Sequence, residues 1–167
     1  HQPFGDTYGA WRALEELYRE GKLRAIGISN HYADRMVEFA NFTSIKPMVN
    51  QMETHLFWQQ YNLHEWMVKY NIQHEAWGPL AQHRLKEVLE NPVVKQIADA
   101  HGKTPAQVAL RQHIQRGIVV IPKSVHKERM KQNMDIFDFK LIDNEMEQLK
   151  MLDENKSMWA EYDDPMI

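Results

Sequence analysis

The chain has 167 residues, 43% hydrophobic and 26% charged, a balance that excludes a disordered segment and leaves room for one domain with a sizeable core. Lys and Arg total 20 against 23 Asp and Glu, and the net charge of −3 excludes a general attraction for nucleic acid or an anionic membrane. Cysteine is absent, so there is no disulfide framework, thiol nucleophile or thiolate metal site; with no membrane-length apolar run and no leader pattern, the expected home is a reducing cytoplasm.

Tyr8, Trp11, Leu14 and Leu17 recur every third residue, with Tyr18 widening the stripe, and predict a helix stopped by Gly21. The apolar run Leu23–Ile28 reads as a buried strand ending in Ser29-Asn30. A helix follows over about Ala33–Asn41, then a strand over Met48–Met52. Leu63, Trp66, Met67 and Tyr70 mark another helix face, and Ile72–Trp77 a third strand closed by Gly78-Pro79. The region Leu85–His101 is helical but interrupted at Pro92, with Asn91 as the cap of a fresh helix. Thr104-Pro105 repeats that start signal for a helix to about Arg116. Ile118–Ile121 is the fourth strand, and helices over Lys127–Met134 and Asp143–Leu152 complete the pattern. The tail from Asn155 to Ile167 has no clear period.

Four short buried strands alternating with helices predict an α/β fold with a parallel sheet. No Gly-x-Gly-x-x-Gly follows any strand, which argues against a Rossmann site. Polar or aromatic residues stand at every strand's C-terminal end instead: Ser29-Asn30, Gln51 and Glu53, Trp77, and Lys123-Ser124. A β/α barrel gathers its ligand groups in this way, but it needs eight strands and this chain supplies four.

At these strand ends the sequence resembles the aldo-keto reductase family of NADPH-dependent carbonyl reductases. The resemblance is carried by Gly21–Asn30 (GKLRAIGISN), Lys46–Glu53 (KPMVNQME), Ala76–Leu80 (AWGPL), Gly102–Arg111 (GKTPAQVALR) and Ile121–Ser124 (IPKS). It implies the C-terminal half of a (β/α)8 TIM barrel over residues 1–152, with a tail at 153–167. It also implies that the chain, opening at His1 without an initiator Met, is a piece of something longer. The family's catalytic group is a Tyr acid, assisted by Asp and Lys, plus a His that ends a strand. His1-Gln2-Pro3 matches the His, and no Tyr, Asp or Lys here matches the other three.

Lys123 and Ser124 close a strand and open a helix, where free N–H groups and the dipole favour an anion. Arg129 and Asn133, four apart, share a face of that helix. Spacing alone leaves open a phosphate site or a solvated charged helix; the resemblance assigns the four positions to the adenosine 2′-phosphate of NADPH. Trp77 reads as a core aromatic, or by resemblance as the ring stacked on the nicotinamide, with Gly78 departing from the Ser often found next. Ser29, Asn30 and Gln51 match the partners of the nicotinamide carboxamide, while Ser29-Asn30 also reads as a plain helix cap. His1 would donate to the substrate carbonyl as charge develops, or is a frayed terminal residue. The other histidines, with His55, His64 and His74 on different elements, give no metal-ligand spacing. Phe57 and Trp58 line a pocket or pack a core.

The expected parent activity is hydride transfer from NADPH to an aldehyde or ketone, with the isolated chain inactive. The alternatives are a non-catalytic NADPH-binding subunit or an inert fragment. The partners expected are a small carbonyl substrate and either a second copy of the chain or a separated N-terminal half; no nucleic acid, membrane or metal is expected.

Overall fold

The computed structural model describes residues 1–2 and 4–159; Pro3 of the His1-Gln2-Pro3 match and residues 160–167 of the tail lie outside the described residues. In chain order the elements are α1 (Thr7–Arg19), β1 (Gly27–Ser29), α2 (Ala33–Phe42), β2 (Val49–Glu53), α3 (Tyr61–Tyr70), β3 (Gln73–Trp77), a 3-10 turn (Gln82–Arg84), α4 (Leu85–Glu90), α5 (Pro92–His101), α6 (Pro105–Gln115), β4 (Val119–Val120), α7 (Lys127–Met134) and α8 (Asp143–Lys150). The four strands are parallel, alternate with helices, and stand in the sheet in the order β1-β2-β3-β4. In the first pair Gly27 faces Val49, Ile28 faces Asn50 and Ser29 faces Gln51. Gly27 is required there: a Cβ would meet the Val49 carbonyl oxygen at 2.9 Å. No described helix is long and apolar enough to cross a membrane.

The end strands are shorter than their apolar runs predict, for a common reason. Leu23 N–H donates to Leu17 O and Ile118 N–H to His113 O, so each run spends its first residue closing the preceding helix. Pro122 brings no N–H to extend β4. Three-residue and two-residue end strands offer little edge to a neighbour. Ser29-Asn30 is not a helix cap: α2 begins after Tyr32, and Asn30 N–H instead extends the β1 ladder to Gln51 O.

The chain divides into two compact units, His1–Met52 with Gln60–Glu75, and Glu53–Gln59 with Ala76–Ile167. The first has two apolar clusters. One packs Trp11, Ile26 and Phe39; the other centres on fully buried Met36, Met52 and Met67 with Ala40, Leu63 and Ile72. In the second, one face each of α5 and α6 packs with Leu56, Phe57, Leu141 and Leu149, which makes Phe57 a core residue. The helix starts follow the predicted chemistry. Asn91 accepts from Val93 and Val94 N–H, and Thr104 forms a reciprocal capping box with Gln107.

Glu15 ties α1 to the chain before β2. Its carboxylate, buried to 4% exposure, accepts from Ile45 N–H at 2.7 Å, Trp11 Nε1–H at 3.1 Å and Arg19 at 3.2 Å. Burial alone would raise its pKa, but these donors outweigh it and hold the group below its ordinary value of 4.5. A lowered folded-state pKa means that the stabilisation is complete above the ordinary carboxylate range and fades as the pH falls through the lowered value. Urea titrations at neutral pH and below pH 4.5 are expected to show the wild type losing more stability on acidification than Glu15→Gln. Equal acid losses would remove Glu15 from that account.

Candidate functional site

In the first unit, His1, Ser29 and Gln51 line one cavity of about 540 Å³. Ser29 Oγ–H donates to Gln51 O at 2.8 Å, and Gln51 Nε2–H donates to Glu75 at 2.6 Å, leaving the Gln51 amide oxygen to accept. Asn30 adopts φ +56, a conformation Asn tolerates better than most residues, and its side-chain amide donates to His1 O. All four residues expected in this unit are therefore brought together. His31, which the sequence did not single out, lines the same cavity. Its Nδ1–H donates to Ser29 O at 2.9 Å, and Asn50 donates to His31 O at 2.7 Å. Burial pushes the His31 pKa down, and Nε2, the acceptor nitrogen, is buried with no hydrogen-bond partner among the described residues, as suits a neutral ring.

In the second unit, Lys123, Ser124, Arg129 and Asn133 line one cavity of about 570 Å³ together with Leu80, Leu85, Leu89, Thr104 and Pro105. No Asp or Glu lines it, and neither cation has an ion-pair partner among the described residues. Ser124 Oγ accepts from His126 N–H at 3.1 Å, fixing the turn into α7. The arrangement suits a phosphate ester: two cations and a helix N-terminus for the anion, and an apolar wall for a flat ring.

α7 buries none of its residues, so a core does not hold it. Polar anchors do. Gln107 Nε2–H donates to Asp135 O at 2.8 Å and Gln132 O at 3.2 Å. Arg111 donates to Ile136 O at 3.0 Å, and Lys103 bonds Asp135 and Asp138. These residues lie in the Gly102–Arg111 segment, where the sequence signalled a helix start but gave no sign of its outward partner.

Trp77 ends β3 half-buried, on the same face as Glu75 by strand alternation, and its carbonyl accepts from Thr54 N–H. It lines neither cavity described above. Gly78 follows at φ +63. His64 and His74, on α3 and β3, meet Nδ1 to Nδ1 at 3.2 Å, although sequence distance kept them apart; the described residues hold no group of three side chains placed to bind a metal.

Residues 1–154 match the Aldo/keto reductase family. The chain belongs to this family. It is 44% identical over 160 residues to the 9,11-endoperoxide prostaglandin H2 reductase of Trypanosoma cruzi, covering 96% of this chain and 56% of that protein. It is 45% identical over 157 residues to the glyoxal reductase of Bacillus subtilis, covering 93% and 56%. Among solved structures, an aldo-keto reductase from a Medee basin deep-sea metagenome library aligns with a TM-score of 0.89 at 44% identity, covering 95% of this chain and 57% of that one. The chain thus spans about half the length of the curated relatives it matches, and aligns with about half of an aldo-keto reductase barrel.

Gly78→Ala is expected to lower stability by about 1–2 kcal/mol, because an L side chain is strained in the left-handed conformation. The nearest neighbour of a new Cβ, Met158, stands at an ordinary 3.4 Å, so strain and not collision sets the cost. A urea midpoint equal to that of wild type would count against a left-handed Gly78.

Proposed function

We propose that this chain is the nucleotide-holding part of an NADPH-dependent oxidoreductase that reduces aldehydes or ketones to alcohols. The cavity with Lys123 and Arg129 and no carboxylate is the observation that carries the reading. A dianionic 2′-phosphate satisfies two converging cations, whereas the 2′-hydroxyl of NADH leaves them unmatched. Ser124 and Asn133 add a hydroxyl and an amide to that grip. In the first unit Ser29, Asn30 and Gln51 offer the donors and acceptors that a carboxamide needs, and in the second Trp77 offers a flat face for a ring. NADPH, when bound, supplies the hydride. His1 then donates a hydrogen bond to the carbonyl oxygen as negative charge develops on it. Related proteins named glyoxal reductase and methylglyoxal reductase support small aldehydes as the substrate class.

Arg129→Ala is expected to weaken NADPH binding by about 1.5–3 kcal/mol while leaving NADH nearly unchanged. Equal losses for the two nucleotides, read by titration calorimetry, would refute the 2′-phosphate assignment. No Tyr, Asp or Lys here matches the family's proton-donating group. The 167-residue chain is therefore expected to bind NADPH without reducing methylglyoxal at an enzymatic rate; turnover at such a rate, with longer relatives excluded from the sample, overturns that part.

An apolar groove of about 410 Å³ beside β4 and α7 bears on the partner. It is lined by Val119, Met130, Met134 and Phe137 among others, and Met134 and Phe137 are 72% and 65% exposed. A surface of this kind seeks cover, and we propose a second copy of the chain as its occupant. Sedimentation at micromolar concentration is expected to give a species heavier than 19.8 kDa, reduced to that mass by Phe137→Asp. A wild-type monomer of 19.8 kDa overturns the proposal.

A further inference from the structure

Glu53 ends β2 as a buried carboxylate that the reading above does not use. Its carboxylate accepts from His55 Nε2–H at 3.0 Å, from Ser157 Oγ–H at 2.6 Å and from Met158 N–H at 2.8 Å. Two of the three donors lie 104 and 105 residues further along the chain, in the segment after α8. That segment has no regular structure of its own, and its place depends on what it is tied to. The next residue, Thr54, donates its N–H to Trp77 O. Met158, held by Glu53, sets its methyl 3.4 Å from where a Cβ on Gly78 would stand. The end of β2, the end of β3 and the segment after α8 are thus closed into one ring of contacts with the Glu53 carboxylate as its shared acceptor.

We propose that Glu53 is a positioning residue, which clamps the segment Ser157–Trp159 against Trp77–Gly78 and so fixes the place of Trp77. The proposal rests on the reading of Trp77 as the residue that faces the nicotinamide. An acceptor-only, charged side chain suits the task. All three donors converge on two oxygens, each bond is charge-assisted, and a neutral amide of the same shape would bring an N–H toward a donor. Burial alone would raise the pKa of Glu53, but the bonds from His55, Ser157 and Met158 prevail and hold it below the ordinary carboxylate value, so the clamp is charged and closed at neutral pH.

Amide hydrogen exchange on the 167-residue chain, without nucleotide, tests the clamp. Glu53→Gln is expected to speed exchange at Met158 by about tenfold or more while the α6 amides keep their rates. Ser157→Ala, which leaves Glu53 and its two other donors in place, is expected to act in the same direction and less strongly. Unchanged exchange at Met158 in both variants overturns the proposal, and so does uniform acceleration across the second unit in both, which would make Glu53 and Ser157 mere supports of the fold. The link to the site is read by comparing NADPH with adenosine 2′,5′-bisphosphate, which carries the phosphate end alone. Glu53→Gln is expected to weaken NADPH several-fold and leave the bisphosphate unchanged; equal weakening of both overturns the positioning role. If wild type binds neither nucleotide, the nucleotide reading of the site falls and the role at the nicotinamide end falls with it, while accelerated exchange confined to Met158 upholds the clamp itself.

Discussion

The cavity lined by Lys123 and Arg129 depends on one buried side-chain amide. α7 carries Arg129 and Asn133, yet none of its own residues is buried, so hydrophobic packing does not fix it. Gln107 does much of that work from both ends of one group. Its Oε1 accepts from Thr104 N–H at 2.9 Å, closing the cap of α6, and its Nε2–H donates to the carbonyls of Gln132 and Asp135 where α7 ends. Only an amide accepts and donates at once in this way. A glutamate would keep the cap and repel the carbonyls of α7; a leucine would serve neither. Lys103 and Arg111, on the same stretch of chain, add two further anchors. The distance between the apolar wall and the two cations is therefore set by α6, a helix that carries no charge into the cavity itself.

The two cavities divide the electrostatic labour. The one in the second unit is lined by cations without carboxylates. The one in the first unit holds Glu75 and Asp6 together with the neutral groups of Ser29 and Gln51. His31, which lines the same cavity, keeps an uncharged ring because burial disfavours the imidazolium and a backbone carbonyl takes its one N–H.

What the sequence disclosed and what it hid divide along physical lines. Helices over ten or so residues advertised themselves through periodicity and through local caps: Asn91 before Pro92 and Thr104 before Pro105 mark their boundaries in the chain itself. The four strands were legible as apolar runs but not in extent, because Leu23 and Ile118 look like strand residues and act as helix closers through bonds to carbonyls upstream. Site residues at strand ends were legible because topology puts them there: Ser29 and Gln51 meet in register, and Lys123, Ser124, Arg129 and Asn133 share a short turn and helix. Glu53 with Ser157, Gln107 with Asp135 and His64 with His74 were not legible, since each contact joins elements whose separation along the chain carries no local signal. Gly78 lies between the two cases: a glycine is visible in any sequence, its left-handed φ only in the fold.

The core of the first unit centres on three fully buried methionines, Met36, Met52 and Met67, in a chain with ten methionines and no cysteine. A thioether on an unbranched stem fills irregular gaps and repacks at little cost, so this core tolerates drift in its neighbours better than one of branched residues. The same choice creates a chemical vulnerability. Oxidation to the sulfoxide would place a polar S=O among apolar side chains with no donor to meet it. Burial shields these three sulfurs, whereas Met134 and Met151, 72% and 81% exposed, stand at the surface. Under oxidant Met134 and Met151 of the second unit are consumed before the three buried methionines of the first, an order that follows from accessibility alone.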